Sequence, residues 1–330
     1  MSNPLTNHAH PSLGLGCWAI GGPFYSEGTA VGWGEVDDAT STRAIHLAVE
    51  RGIKLFDTAQ AYGTGHSETV LGSALKSHPD VAIVTKFGLG IDPASKSLTG
   101  VLTDPKAVAQ SLDASCHRLQ RDHIDLVVLH ANEMEIATAE PLFDMLEGLR
   151  DAGQIGSYGW STDFPDRARA FADRDGFTAV EHAMNVFFAA DYMVPTLKET
   201  NLVGLIRSPL AMGVLGGKYD GSAAFAKNDV RSNDHAGVGY FKNGQIDPAF
   251  LSKLNAIRDI LTSENRSLAQ GALAWLWARS DRAIPIPGFR TPDQVADLCG
   301  ALEHGALSVA QMAEIETLMD RPKEGPPACR

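Results

Sequence analysis

Short apolar runs that end on a polar residue, each followed by a turn and a helical segment, constrain this chain more than any other feature. Residues 53–56 lead into Asp57, with Tyr62 five residues further on; residues 81–85 lead into Lys86; residues 126–129 lead into His130. Strand-like runs alternating with helical periodicity specify a parallel sheet covered by crossover helices. Strands are expected over residues 54–57, 81–86, 124–130, 155–161, 178–184, 202–207 and 283–287, with an eighth, short one near residues 305–307. Seven or eight such units in 330 residues fit a closed (β/α)8 TIM barrel better than an open sheet, and a chain that is 44% hydrophobic can fill its core. Residues 1–330 are therefore read as a single domain. Residues 13–22 read as an N-terminal hairpin or a strand, and residues 22–38 and 208–246 as long loops at the C-terminal face.

Helix starts carry their own signals. Asp104-Pro105 and Asp247-Pro248 each place a capping acid before a proline at the first helical position. Ser267 with Gln270, Thr291 with Gln294 and Ser308 with Gln311 are capping boxes.

Several classes of partner are excluded by composition and spacing. With 28 basic and 40 acidic residues, a net charge of −12 and no basic block, the chain is not expected to bind nucleic acid or an anionic membrane. No apolar run approaches the ~18 residues of a membrane span. The first residues have neither a basic nor an apolar leader segment, so a cytoplasmic location is expected. Cys17, Cys116, Cys299 and Cys329 are scattered, which suits reduced thiols, and no Cys/His cluster has metal spacing, so no metal is expected. Residues 14–19 match G-x-G-x-x-A, but Gly21-Gly22-Pro23 follows and no helix can open there to receive a pyrophosphate. Gly217-Lys218-Tyr219 lacks the first glycine and the Ser/Thr of a P-loop. His8 and His10 read as solvated tail residues.

Three polar strand ends and a nearby tyrosine converge on the barrel face where enzymes of this shape work. Together they make a proton donor. Tyrosine is protonated at neutral pH, with an ordinary pKa of about 10. A nearby ammonium, Lys86, is expected to lower that value, and Asp57 supplies the ammonium with a counter-ion. His130 can hydrogen-bond an oxygen that gains charge. Such a set suits protonation of an alkoxide at a former carbonyl carbon, and the reducing equivalent must come from a cofactor.

The stretch Phe56-Asp57-Thr58-Ala59…Tyr62-Gly63…Ser67-Glu68 resembles the signature of the aldo/keto reductases. So do Ile206-Arg207-Ser208-Pro209-Leu210…Gly213…Leu215…Gly217-Lys218 and Ile284-Pro285-Ile286-Pro287-Gly288-Phe289-Arg290, and the resemblance covers nearly the whole chain. It implies an NADPH-dependent barrel that reduces aldehydes and ketones, with a tetrad of Asp57, Tyr62, Lys86 and His130 and Tyr62 as general acid. It implies Ser161 and Thr162 at the nicotinamide carboxamide, Thr162 standing where the family often has asparagine. Glu181 stands for the usual glutamine, and Arg207 for a tyrosine that stacks on the ring; these two are expected to pair there. Ser208, Pro209, Leu210, Gly213 and Lys218 are expected along the pyrophosphate. Gly288, Phe289, Arg290 and Gln294 are expected around the adenosine 2′-phosphate. Asp297 matches the acid near the adenine amine, and Leu298 departs from a common asparagine. Trp18 and Trp33 are expected to line the substrate pocket. The small-molecule partner implied is a carbonyl compound; the alternative is an NADPH-binding redox-sensing partner of another protein with little turnover. No coiled-coil or repeat signal demands assembly.

Overall fold

The computed structural model describes residues 12–218, 225–232, 239–319 and 321. Expectations placed on the tail bearing His8 and His10, on Tyr219 and on Cys329 lie outside the described residues. Eight parallel strands follow one another around the sheet in chain order: β1 (Leu15–Gly16), β2 (Leu55–Asp57), β3 (Ala82–Phe87), β4 (Ile124–Leu129), β5 (Ile155–Ser161), β6 (Phe177–Ala183), β7 (Val203–Arg207) and β8 (Ala283–Pro285). Around them stand α1 (Asp38–Glu50), α2 (His66–Ala74), α3 (Pro105–Leu119), α4 (Ile136–Asp151), α5 (Pro165–Phe171), α6 (Met193–Thr200), α7 (Pro248–Leu261), α8 (Leu268–Arg279), α9 (Pro292–His304) and α10 (Val309–Met319). Strand feeding helix feeding parallel strand is the (β/α)8 barrel that the alternation predicts.

Its eighth strand is not where the sequence places it. Residues 305–307 form the α9–α10 connection, where the Leu307 N–H donates to the Ala274 carbonyl at 3.1 Å. The barrel closes through its N-terminal strand instead: Gly14 N–H donates to Pro285 O and Gly16 N–H to Pro287 O, both at 3.0 Å. A Cβ on Gly16 would meet the Ile286 carbonyl oxygen at 2.7 Å, so the closure needs glycine. Residues 13–22 thus take the strand alternative. The hairpin comes afterwards, pairing Tyr25–Ser26 with Thr29–Ala30.

Side-chain alternation sorts the core into two layers. Leu55, Val84, Leu126, Val128, Ala179, Val203, Leu205, Ile284 and Ile286 fill the barrel interior. Their neighbours Phe56, Ile83, Val127, Leu129, Val180 and Ile206 face the helices. On the outer side Phe143 of α4 packs on Phe171 at 4.6 Å between centroids and on Tyr158 at 5.4 Å. Burial of each such ring contributes about 1.5–3 kcal/mol.

Capping fixes where the helices start. Asp104 accepts from Ala107 N–H, Asp247 from Ala249 N–H, and Ser267, Thr291 and Ser308 each take the reciprocal bonds of a capping box. Within residues 208–246, 3-10 turns at Ala211–Gly216 and Val230–Ser232 and a small hairpin (Phe241–Lys242 with Gln245–Ile246) interrupt the expected loop. This segment meets the loop after β1: Val230 N–H donates to Gly32 O at 2.7 Å, and Trp33 forms a bridge with Asp229.

Candidate active site

The inward-facing parity of these strands runs to their C-terminal ends, or one residue beyond for β4, and there the residues turn polar. Two residues beyond Leu55 stands Asp57; two beyond Val84, Lys86; two beyond Val128, His130; two beyond Ala179, Glu181; two beyond Leu205, Arg207. Parallel register puts Asp57 beside Val84 and Lys86 beside Val128, so these ends reach similar height. Lys86 is fully buried. Its ammonium donates to Asp57 Oδ1 at 2.5 Å, to the Thr58 carbonyl at 3.0 Å and to the Tyr62 hydroxyl at 3.2 Å. Glu181 Oε2 lies 3.3 Å from the same nitrogen, close enough for an ion pair but out of hydrogen-bond alignment.

Tyr62 is held by the close approach of two loops. A Cβ on Gly63 would sit 1.8 Å from Gly21 O, and Gly63 adopts φ +62°, so this contact needs glycine twice over. Trp18 stacks on the Tyr62 ring at 6.0 Å, and Trp33 meets Trp18 edge-on at 5.5 Å. The His130 ring stands edge-on to Tyr62 at 5.8 Å. Other polar residues of the signature stretch hold it in place. Thr58 Oγ1 meets Ser67 Oγ at 2.9 Å, Ser67 donates to the Cys17 carbonyl, and buried Glu68 receives Thr85 at 2.5 Å and Arg118 at 2.6 Å.

Burial dominates the electrostatics. Burial pushes His130 down to about 3, helped by the Lys86 and Arg207 charges, so its ring is neutral at pH 7. Burial pushes Asp57 up to about 8; the Glu181 charge adds to this and the Lys86 charge opposes it. Burial works against the Lys86 ammonium, yet Asp57, Glu181 and Tyr62 outweigh it and lift its pKa above the ordinary lysine value. The expected acidification of Tyr62 does not hold. Burial raises its pKa, the two carboxylates add to the rise, and Lys86 only partly offsets them.

A cavity of about 960 Å³ gathers nearly all the expected residues. Asp57, Tyr62, His130, Ser161, Glu181 and Arg207 line it, and Lys86 lies behind them. So do Ser208, Pro209, Leu210, Gly213 and Lys218, then Gly288, Phe289, Arg290, Gln294, Asp297 and Leu298, and both Trp18 and Trp33. Ser208, Ala211 and Met212 hold positive φ without being glycine, a strain that clusters at ligand clamps. Arg290 sits just ahead of α9 and donates to the carbonyls of Trp33 (3.1 Å) and Glu35. Gln294 Oε1 caps Arg290 N–H at 2.7 Å, and Asp297 Oδ1 accepts from Gln270 at 3.1 Å.

Two residue placements differ from those expected. Thr162 is fully buried outside the cavity lining and donates its hydroxyl to Asn132 O at 2.9 Å. Glu181 and Arg207 do not pair: Glu181 faces Lys86, while Arg207 donates to Asp163, whose other oxygen accepts from Ala183 N–H at 2.8 Å. Sequence reading passed over Asn132, whose Oδ1 accepts from Asp163 N–H at 2.8 Å and whose buried Nδ2 has no partner among the described residues. It lines the cavity from the loop after β4, two residues beyond His130, where strand parity does not reach. Val36, Asp37, Thr40 and Ser41, at the start of α1, were missed as well and carried no chemical signal.

The aldo/keto reductase family model matches residues 12–320. The chain belongs to the aldo/keto reductase family. Among other aldo/keto reductases it is 27% identical to aldo-keto reductase YhdN of Bacillus subtilis over 93% of this chain and 89% of that one. It is 26% identical to the NADH-specific methylglyoxal reductase of Escherichia coli, over 88% of this chain and 89% of the relative. Among solved structures, glycerol dehydrogenase AKR11B4 from Gluconobacter oxydans superposes with a TM-score of 0.77 at 26% identity, covering 96% of this chain and 93% of that one. Family membership makes the chain an oxidoreductase and fits the parallel barrel and its mouth-facing cavity.

Proposed function

We propose that this protein reduces aldehydes or ketones to alcohols with NADPH, and that Tyr62 delivers the proton. The observation that carries the reading is the placement of the Tyr62 hydroxyl 3.2 Å from the Lys86 ammonium, at a cavity that neutral His130 also lines. When bound, the nicotinamide supplies a hydride to the carbonyl carbon. His130 donates a hydrogen bond to the carbonyl oxygen as charge gathers there, Tyr62 protonates that oxygen, and Lys86 stabilises the phenolate left behind. Asp57 keeps Lys86 charged and fixed. The cavity's strained 208–218 turn and the α9 start with Arg290 suit a dinucleotide carrying an extra phosphate. Buried Asn132 Nδ2 and the Ser161 hydroxyl suit the carboxamide. Phe24, Trp18, Trp33, Leu89 and Leu98 give the mouth an apolar wall, which favours aromatic or short aldehydes over sugars.

The test is steady-state NADPH oxidation over a panel of a nitrobenzaldehyde, methylglyoxal and an aldose. Turnover is expected in that order. Tight NADPH binding without oxidation of any member would instead support the redox-sensing reading.

A further inference from the structure

Two buried carboxylates share one buried ammonium at the base of the cavity. Lys86 is fully enclosed, and Asp57 and Glu181 are each only 2% exposed. Asp57 Oδ1 lies 2.5 Å and Glu181 Oε2 3.3 Å from Lys86 Nζ. Asp57 Oδ2 and Glu181 Oε2 have no hydrogen-bond partner among the described residues. Among these residues Glu181 Oε2 has only its ion pair with Lys86, Asp57 Oδ2 has no hydrogen-bond partner, and two charged acids at one ammonium repel each other; one added proton relieves both strains.

The other groups facing this cluster do not supply compensating charge. Arg207 is matched by Asp163, His130 is neutral, and burial raises the Cys17 thiol well above the ordinary range, so it too is neutral. Tyr62 is a protonated phenol. Two cations therefore stand against three carboxylates, an excess of one negative charge unless a proton is held. The raised affinity of Asp57 for a proton, up to about 8, agrees with that count.

We propose that Asp57 and Glu181 hold one proton between them across Lys86, and that this store refills Tyr62 after it protonates the alkoxide. The proposal rests on the carbonyl-reductase reading above. In the step, the Tyr62 O–H bond breaks as the alcohol O–H forms. A Lys86 N–H proton passes to the phenolate, and the acid O–H proton passes to Lys86. Both carboxylates end ionised, and their extra negative charge offsets the positive charge that the nicotinamide ring gains when it gives up its hydride. Solvent restores the proton after the oxidised nucleotide leaves. Glu181 acts through Lys86 and is a positioning residue in this scheme, one that sets the proton count of the site.

Proton release on nucleotide binding reads that count directly. Calorimetric titrations with NADP+ and with NADPH at pH 7, each in two buffers of different ionisation enthalpy, should show about one more proton released with NADP+. Proton changes at the nucleotide's phosphates cancel in the difference. In Glu181→Gln the difference should vanish, because Asp57 alone is then an ionised partner of Lys86. An unchanged difference in the variant, or none in the unaltered protein, would overturn the proposal. Infrared spectroscopy of the protein without nucleotide supplies a second arm. A protonated-acid carbonyl band should persist at pH 7, bleach near pH 8 and be missing in both Glu181→Gln and Asp57→Asn. If neither nucleotide bound, the cofactor reading would fall, and the infrared band would still decide whether the store exists.

Discussion

At the base of the cavity Asp57 and Lys86 stand on the adjacent strands β2 and β3, Glu181 reaches Lys86 from β6 across the barrel mouth, and all three are almost wholly enclosed. At its rim Trp33, Arg231 and Arg290 meet only because the loop after β1 crosses a loop from the far end of the chain. There the Arg231 guanidinium lies 4.5 Å from the Trp33 ring centroid and 4.1 Å from that of Phe225. The base is fixed by strand register, so each side chain has one position and its neighbours follow. The rim is fixed by loop-to-loop hydrogen bonds and ring contacts, which are individually worth about 0.5–2 kcal/mol. Alterations at the base should strike chemistry and stability, and those at the rim should strike binding.

The sharpest way to break this contrast is Tyr62→Phe. Turnover should fall about 1,000-fold, with NADPH affinity and melting temperature nearly unchanged; retained turnover would remove Tyr62 from the mechanism. Next comes Lys86→Met, which leaves Asp57 and Glu181 without their counter-ion. A loss of about 3–5 kcal/mol in denaturant unfolding is expected, together with loss of activity, and a stable variant would mean that the cluster is solvated. Arg290→Ala tests the rim. The NADPH dissociation constant should rise about 10- to 100-fold, from loss of a charge-assisted contact worth about 1.5–3 kcal/mol, and NADH affinity should hardly move. Equal losses would discard the 2′-phosphate assignment. Trp33→Leu should raise KM a few-fold with kcat preserved, the smallest catalytic effect of the set.

The protonation of His130 gives one further check at the base. Its folded-state pKa of about 3 lies below the ordinary value of about 6.5, so the unfolded chain binds the extra proton first. Its contribution to stability is therefore lost as pH falls from about 6.5 toward 3. Urea midpoints of the unaltered protein and His130→Gln, compared from pH 7 to 5, should converge as pH drops. Parallel curves would place a charged histidine in the folded site.

The same contrast explains what the sequence made legible. Asp57, Lys86 and His130 could be placed because strand periodicity fixes direction as well as position, and Ser267 and Thr291 because capping boxes are local. The eighth strand was misplaced because β1 is two residues long and pairs with the opposite end of the chain, which no local pattern records. The Glu181–Arg207 pairing failed for a related reason. Both side chains point inward, but Asp163, in the loop after β5, takes the arginine, and loop positions do not follow strand parity. Tyr62 was expected to be acidified because the charge of Lys86 was weighed without the depth of burial, which is a property of the folded chain.

The closure of the barrel by Gly14 and Gly16 against Pro285 and Pro287 also has a consequence for biosynthesis. The first strand leaves the ribosome early, but the carbonyls it must bond are added roughly ten to sixty seconds later at ordinary elongation rates. Until then β1 stands at an open sheet edge, the kind of surface that invites pairing with other chains. Nascent barrels of this protein should therefore depend on chaperones until β8 emerges, and a circular permutant that brings β8 and β1 together in sequence should shorten that exposed interval.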